Sequence, residues 1–168
     1  SFSTVALALT ESLVDLDAFA PNDVVLTAQT IRRRWNGVSW VQFGLTGLDI
    51  AQSTWGPSRA ELWSVGIGAT DYTAASYSDG ATLTRFSLPT NGNYAVVTVW
   101  GQSSNDLWAA GFGLWHRTTD WVEVLLPSRN RITEIDGVTG VGAVAVTSAG
   151  EVLWYRQSAP VPPAAKNQ

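Results

Sequence analysis

A chain of 168 residues has room for one good hydrophobic core, and its composition closes off several classes of protein. Only 14% of residues are charged while 9 are Trp, which leaves too much apolar and aromatic surface for disorder and suits β-structure with tight turns. The formal charge of -4 excludes a nucleic-acid binder that works by phosphate neutralisation, the lack of Cys excludes disulfides and thiolate chemistry, and no apolar run is long enough for a membrane-spanning helix.

In chain order, Ser1 to Thr10 reads as a strand, with Phe2, Val5, Leu7 and Leu9 as its apolar positions. Glu11 to Asp23 is acidic and ends in the turn signal Ala20-Pro-Asn-Asp23. Val24 to Ala28 reads as an inner strand and Ile31 to Trp35 as the next. Asn36-Gly37 is a two-residue hairpin signal, and Ser39 to Phe43 completes a meander. The pattern then returns. Leu48 to Thr54 leads to an inner strand at Leu62–Val65, a strand at Tyr72–Tyr77, the turn Asp79-Gly80 and an outer strand at Thr82–Phe86. A third pass runs through Tyr94–Val99, Leu107–Ala110, Gly113–Arg117 and Trp121–Leu125. A fourth is degenerate, with Arg131–Ile135, Ala143–Val146 and Glu151–Arg156, and has no outer strand. Residues 158–168 hold Pro160, Pro162 and Pro163 and read as a tail after a single domain of residues 1–157.

One phrase occurs twice. Trp55-Gly-Pro-Ser-Arg-Ala-Glu-Leu-Trp-Ser-Val-Gly66 and Trp100-Gly-Gln-Ser-Ser-Asn-Asp-Leu-Trp-Ala-Ala-Gly111 share Trp-Gly, a polar turn of five residues, an acid, Leu-Trp and a closing Gly. Aligning the passes puts Asp17, Trp55, Trp100 and Asp136 in one register, at spacings of 38, 45 and 36 residues. That is the period of propeller blades made of four short antiparallel strands. The fold expected is therefore all-β, a small β-propeller of about four blades. Residues 2–9 would supply the missing outer strand of the last blade and remove an open sheet edge. The alternative is half of a larger ring completed by association.

The repeated residues have a structural role first. Trp63 and Trp108 would wedge between blades, Trp55 and Trp100 would pack beside the same joints, and Gly56, Gly66, Gly101 and Gly111 would permit close approach. Trp40 and Trp121 open outer strands, and Trp35, Trp115 and Trp154 fall on third strands. From these, Trp40, Trp115 and Trp121 are the candidate platforms for a ligand such as a sugar ring. Arg32 and Arg34 face one way on their strand and Arg33 the other, so the run reads either as a solvated edge or pairing with Asp15 and Asp17, or, at Arg32 and Arg34, as candidate contacts for an anionic partner. His116, the only His, reads as a packed strand residue; one His and no Cys give no zinc set. Asp15, Asp17 and Asp120 form no calcium loop, so no metal or cofactor is expected. Glu61 and Asp106 share a register and read as turn caps rather than catalytic groups.

The phrase at residues 100–111, with Trp35-Asn-Gly-Val-Ser-Trp40, resembles a Trp-Gly-Ser-Ser-x-x-Asp-Val-Trp-Ala-Val-Gly repeat followed by Trp-Asp-Gly-x-x-Trp, found in bacterial, often myxobacterial, surface or secreted proteins. It is more loosely similar to tectonin-like lectin propellers. The resemblance covers residues 17–156, is carried by the second and third units, and brings no shared catalytic residues. It implies binding or scaffolding.

No Gly-x-Ser-x-Gly elbow and no phosphate-binding loop occurs in the sequence. The function expected is a non-enzymatic binding or scaffold module for protein–protein interaction or assembly, self-association included. A glycan-binding lectin is the first alternative and a polysaccharide-acting enzyme the second. No nucleic acid and no membrane insertion is expected. The start at Ser1 and the absence of Met point to a processed chain or a piece of a longer one, in an extracellular or cell-surface setting with the cytoplasm left open.

Overall fold

The computed structural model describes residues 7, 10–90, 95–126 and 128–156. Among these every regular element is a strand. The expected opening strand at residues 2–9, apart from Leu7, and the Pro-rich tail lie outside the described residues.

The strands form four antiparallel sheets in sequence order. Sheet 1 holds β1 (Leu13–Ala20), β2 (Asp23–Ala28), β3 (Ile31–Trp35) and β4 (Trp40–Leu45). Sheet 2 holds β5 (Ile50–Ser58), β6 (Glu61–Ile67), β7 (Ala74–Ser78) and β8 (Leu83–Ser87). Sheet 3 holds β9 (Val96–Ser103), β10 (Asp106–Gly111), β11 (Leu114–Arg117) and β12 (Trp121–Glu123). Sheet 4 has three strands, β13 (Ile132–Val138), β14 (Gly142–Thr147) and β15 (Val152–Arg156). Each is a meander whose neighbours in sequence are neighbours in space.

The register read from the sequence is the register of the sheets. Asp17 pairs with Val25, Trp55 with Trp63, Trp100 with Trp108 and Asp136 with Val144. Three expectations need correction. The acidic stretch after Thr10 is strand β1, because Asp15 finds donors on the neighbouring sheet: Ser53 Oγ at 3.1 Å and the Thr54 N–H at 2.9 Å. Trp-Gly does not open a five-residue turn. The strand continues through it to Ser58 or Ser103, and the turn is two residues. A bulge between Trp55 and Ser58 takes up the extra length. The hairpins at Asn36-Gly37 and Asp79-Gly80 are four-residue loops. Only Gly has positive φ there, 92° at Gly37 and 85° at Gly80, so a two-residue turn with both centres left-handed does not form. Instead the Asn36 carboxamide oxygen accepts from the N–H groups of Val38 and Ser39. Asp79 does the same for Ala81 and Thr82.

The sheets meet along their first strands. β1 packs on β5, β5 on β9, and β9 on β13. The strands carrying Trp55 and Trp100 are thus innermost, and those at 62–65 and 107–110 are second from the axis. Successive sheets stand face to face in the propeller manner. Among the described residues no comparable packing joins β13 to β1. The core lies in the spaces between sheets. One cluster holds Trp63, Val65, Val99, Leu107 and Trp115 between sheets 2 and 3, and another holds Trp100, Trp108, Ile135 and Ala145 between sheets 3 and 4.

Candidate functional site

Alternation along the strands gives each sheet one face toward the preceding sheet and one toward the next. Paired residues share a face. In sheet 3, Trp100, Trp108 and His116 face sheet 4, while Leu107, Arg117 and Trp121 face sheet 2. The site question is what each face meets.

Between sheets 1 and 2 the contact is polar. Arg32 is 2% exposed. Its guanidinium donates to Ser64 Oγ at 2.8 Å and to the Leu45 carbonyl at 3.2 Å. Thr54 and Ser64 share a hydroxyl bond of 2.8 Å, and Ser76 Oγ donates to the Thr46 carbonyl. Asp17 lies in the same space, and its Oδ2 has no hydrogen-bond partner among the described residues. Burial, then the neighbouring Asp15 charge, pushes its carboxyl up to about 7, while Arg32 pulls the other way. Burial lowers Arg32 to about 10, with Asp17 opposing. The cluster sets a buried guanidinium near a carboxyl that its burial tends to keep protonated.

Between sheets 2 and 3 the contact is aromatic. Trp63 meets Trp121 edge-on at 6.0 Å and packs beside Tyr77 at 4.8 Å. The Arg117 guanidinium lies 4.7 Å above the Trp63 ring, a cation–π geometry. Trp115 is fully buried and its Nε1–H donates to the Pro89 carbonyl at 2.6 Å. At the axis the Trp55 ring covers Gly101, where a Cβ would stand 2.8 Å from it.

The junction of sheets 3 and 4 repeats the device. The Trp100 ring covers Gly137, where a Cβ would stand 2.6 Å away. Each such indole removes roughly 150–250 Å² from water, a gross gain of about 4–6 kcal/mol. Farther out, Trp108 stacks on His116 at 4.0 Å and 13° and approaches Tyr155 at 4.7 Å. His116 Nε2 is 2.8 Å from Asp106 Oδ1. Beside them is a cleft of about 260 Å³ bordered by Trp108, Leu114, Val124, Leu126, Leu153 and Tyr155.

The last face has no such cover among the described residues. On sheet 4, Ile135, Ala145, Leu153 and Tyr155 turn toward sheet 3, so Val138, Val144, Val146, Val152 and Trp154 turn away. Trp154 is 69% exposed, Val138 63% and Val152 54%. A depression of about 480 Å³ runs between Val138, Val141, Val144 and Trp154. In sheets 2 and 3 the same positions carry Trp63 and Trp108, both buried under the next sheet. At the other end, Leu16, Ala18, Trp35, Trp40 and Gln42 lie on the sheet 1 face turned away from sheet 2. Leu16 is 57% exposed.

The residues singled out from sequence are therefore dispersed. Arg32 is inside the first junction, and Trp115 and Trp121 are inside the second. Arg34 is half-buried and donates from Nε to Asp23 at 2.7 Å. Trp40 is half-buried against Trp35, with ring centres 5.8 Å apart. The exposed aromatic on an apolar face is Trp154, whose signal was the alternation Val152, Trp154, Arg156 in the last unit. Among the described residues no group of His, Asp and Glu side chains could hold a metal ion, and no helix is long and apolar enough to cross a membrane.

No family model matches the sequence, and no curated protein matches it. Solved structures do. The WD40 β-propeller domain of Doa1 aligns with a TM-score of 0.69 and 11% identity, covering 90% of this chain and 53% of that one. Virginiamycin B lyase from Staphylococcus aureus gives 0.62 and 15%, covering 92% and 59%. YCF48 bound to D1 peptide gives 0.65 and 13%, covering 87% and 50%. The chain spans little more than half the length of these proteins. At such identities the likeness is one of fold: this chain has the multi-bladed, propeller-like all-β architecture of WD40, YCF48 and lyase structures.

Proposed function

We propose that this chain is a non-enzymatic binding module that joins protein partners into assemblies through the open face of sheet 4. The observation that carries the reading is the exposed strip of Val138, Val144, Val146, Val152 and Trp154. The equivalent positions in the two preceding sheets are closed by a neighbouring sheet. An apolar strip centred on Trp, flanked on the same face by the exposed Asp136 and Arg156, has the pattern of a protein interface, an apolar centre with a charged rim. The fold alone does not decide the matter, since it carries a lyase as well as WD40 and YCF48 proteins. One of these, YCF48, is seen bound to a peptide, which agrees with a protein-binding role.

The test places a photo-reactive phenylalanine analogue at position 154 in cells producing the protein. A control carries it at position 125, where Leu125 is 95% exposed but off this face. Position 154 is expected to capture polypeptide and position 125 little. Equal capture at both, or none at 154, rejects the reading.

A further inference from the structure

We infer that the partner of sheet 4 is a separate protein that supplies one extended strand. That strand pairs antiparallel with the outer edge of β15 and sets a large aromatic side chain in the cleft between sheets 3 and 4. The inference rests on the reading of sheet 4 as the protein-binding end, and adds how the partner is held.

A vacancy in the repeat is the first support. Sheets 1 to 3 have four strands each and sheet 4 has three, with nothing among the described residues paired to the outer side of β15. The Thr147 N–H donates to the Glu151 carbonyl at 3.0 Å, and bonded and non-bonded pairs alternate from there. The backbone N–H and C=O groups of Val152, Trp154 and Arg156 therefore point outward, the template that an added strand uses. The other outer strands carry devices that discourage such pairing. The β3–β4 pair is bulged, β12 is three residues long, and β8 is centred on Arg85. By contrast, β15 pairs with β14 without a register shift and is centred on Leu153-Trp154-Tyr155.

The cleft is the second. In sheet 3 the outer strand sets Trp121 opposite Arg117, and its ring meets Trp63 of sheet 2 edge-on at 6.0 Å. The repeat register makes Tyr155 the counterpart of Arg117, and Trp108 that of Trp63. A fourth strand on sheet 4 would carry its own counterpart of Trp121 opposite Tyr155, on the side of Trp108. The apolar cleft of about 260 Å³ lies at that place, between Leu114, Val124, Leu126, Leu153 and Tyr155. A cavity of about 150 Å³ takes a benzene ring, so an aromatic side chain has room. The next residue of the strand, opposite Trp154, would lie on the open face, so one strand engages both surfaces. Leu7, the described residue of the opening segment expected to close sheet 4, lies in no strand, which favours a separate polypeptide.

The probe is a synthetic peptide with the sequence of Thr119 to Leu126, blocked at both ends and fluorescently labelled, because this segment fills the equivalent place in sheet 3. Its binding to the full chain is read by anisotropy. Trp121→Ala in the peptide is expected to weaken binding by about 30-fold or more, as loss of a central interface Trp does. The residue opposite Trp154 corresponds to Val122, whose N–H would bond to β15, whereas that of Glu123 would point away. N-methylation at Val122 is therefore expected to abolish binding and N-methylation at Glu123 to leave it unchanged.

Equal effects of the two methyl groups, or binding indifferent to Trp121, would overturn the inference. In a second measurement the photo-reactive phenylalanine analogue stands at position 155 of the purified chain. Linkage from there to residues 2–9 or 158–168, within a copy or between copies, assigns the edge to this chain itself and overturns the separate partner. Capture of polypeptide at position 154 without peptide binding overturns the added strand while the reading of the open face stands. Neither capture at 154 nor peptide binding removes both.

Discussion

Replacing Asp17 with Asn should stabilise the protein in mild base and do so by less in mild acid. The carboxyl is held between sheets 1 and 2 with Oδ2 unpartnered among the described residues. Burial and Asp15 raise its pKa to about 7 from 3.8, against the pull of Arg32. The folded chain therefore keeps this proton over a range in which the unfolded chain has lost it. Stability from this group is full below about pH 4, falls as pH rises, and levels off above about pH 7. A rise of about three units at about 1.4 kcal/mol each sets a ceiling of about 4 kcal/mol on the loss. Arg32 loses its counter-charge in the variant, so a net gain of about 1–3 kcal/mol at pH 8.5 is the working figure. Urea unfolding at pH 5 and pH 8.5, with both proteins in the same buffers, reads the difference directly. Glu11, Asp79 and Glu151, whose pKa values are lowered chiefly by hydrogen bonds, titrate at the acid end and cancel between the two proteins. An Asp17→Asn variant that is equally or less stable at pH 8.5, with no change in the difference between the two pH values, would refute the argument that a strained charge sits in this junction.

Gly137→Ala tests the repeated axis contact. The added Cβ would stand 2.6 Å from the Trp100 ring and 2.4 Å from the Gly142 carbonyl oxygen, so the strand pair and the indole must both give way. A loss of about 1–3 kcal/mol is expected, visible as a fall of about 2–12 °C in the thermal midpoint; an unchanged midpoint would mean that the indole is free to move aside. Trp115→Phe keeps an aromatic ring but strips the donor from the Pro89 carbonyl. A loss of about 1–3 kcal/mol in urea unfolding is expected, and a change below about 0.5 kcal/mol would show that packing alone holds the ring.

How much of this was legible in the sequence depended on whether the cause was local. The Trp-Gly phrase announced its register because a large ring and a missing side chain must face one another, and both are written in every copy. Asp17 and Asp136 were placed by spacing alone. The strand nature of residues 13–20 was hidden, since Asp15 and Asp17 look like loop residues until Ser53 and Thr54 stand opposite. Arg32 read as a solvated edge, a partner of Asp15 and Asp17, or a contact for an anionic partner, and its burial was hidden for the same reason: the groups that satisfy it, Leu45 and Ser64, are 13 and 32 residues away. Trp121 and Trp154 show the limit most clearly. Both sit on outer strands of their sheets, yet one is buried and the other open. Trp121 turns back onto sheet 2, whereas Trp154 turns away from sheet 3 to a side where no described sheet follows, and no residue near either Trp encodes that.

The indole-over-glycine contact also bears on how such a chain changes length. Because it recurs in the two middle units and is replaced by Asp17 and Asp136 at the ends, the middle units are interchangeable at the axis and the outer ones are not. Unequal recombination between the two stretches of gene that encode the Trp-Gly phrases would insert or delete one whole sheet. Every new joint between middle units would still set a ring over a glycine, so the stack can grow inward while its two termini stay as they are.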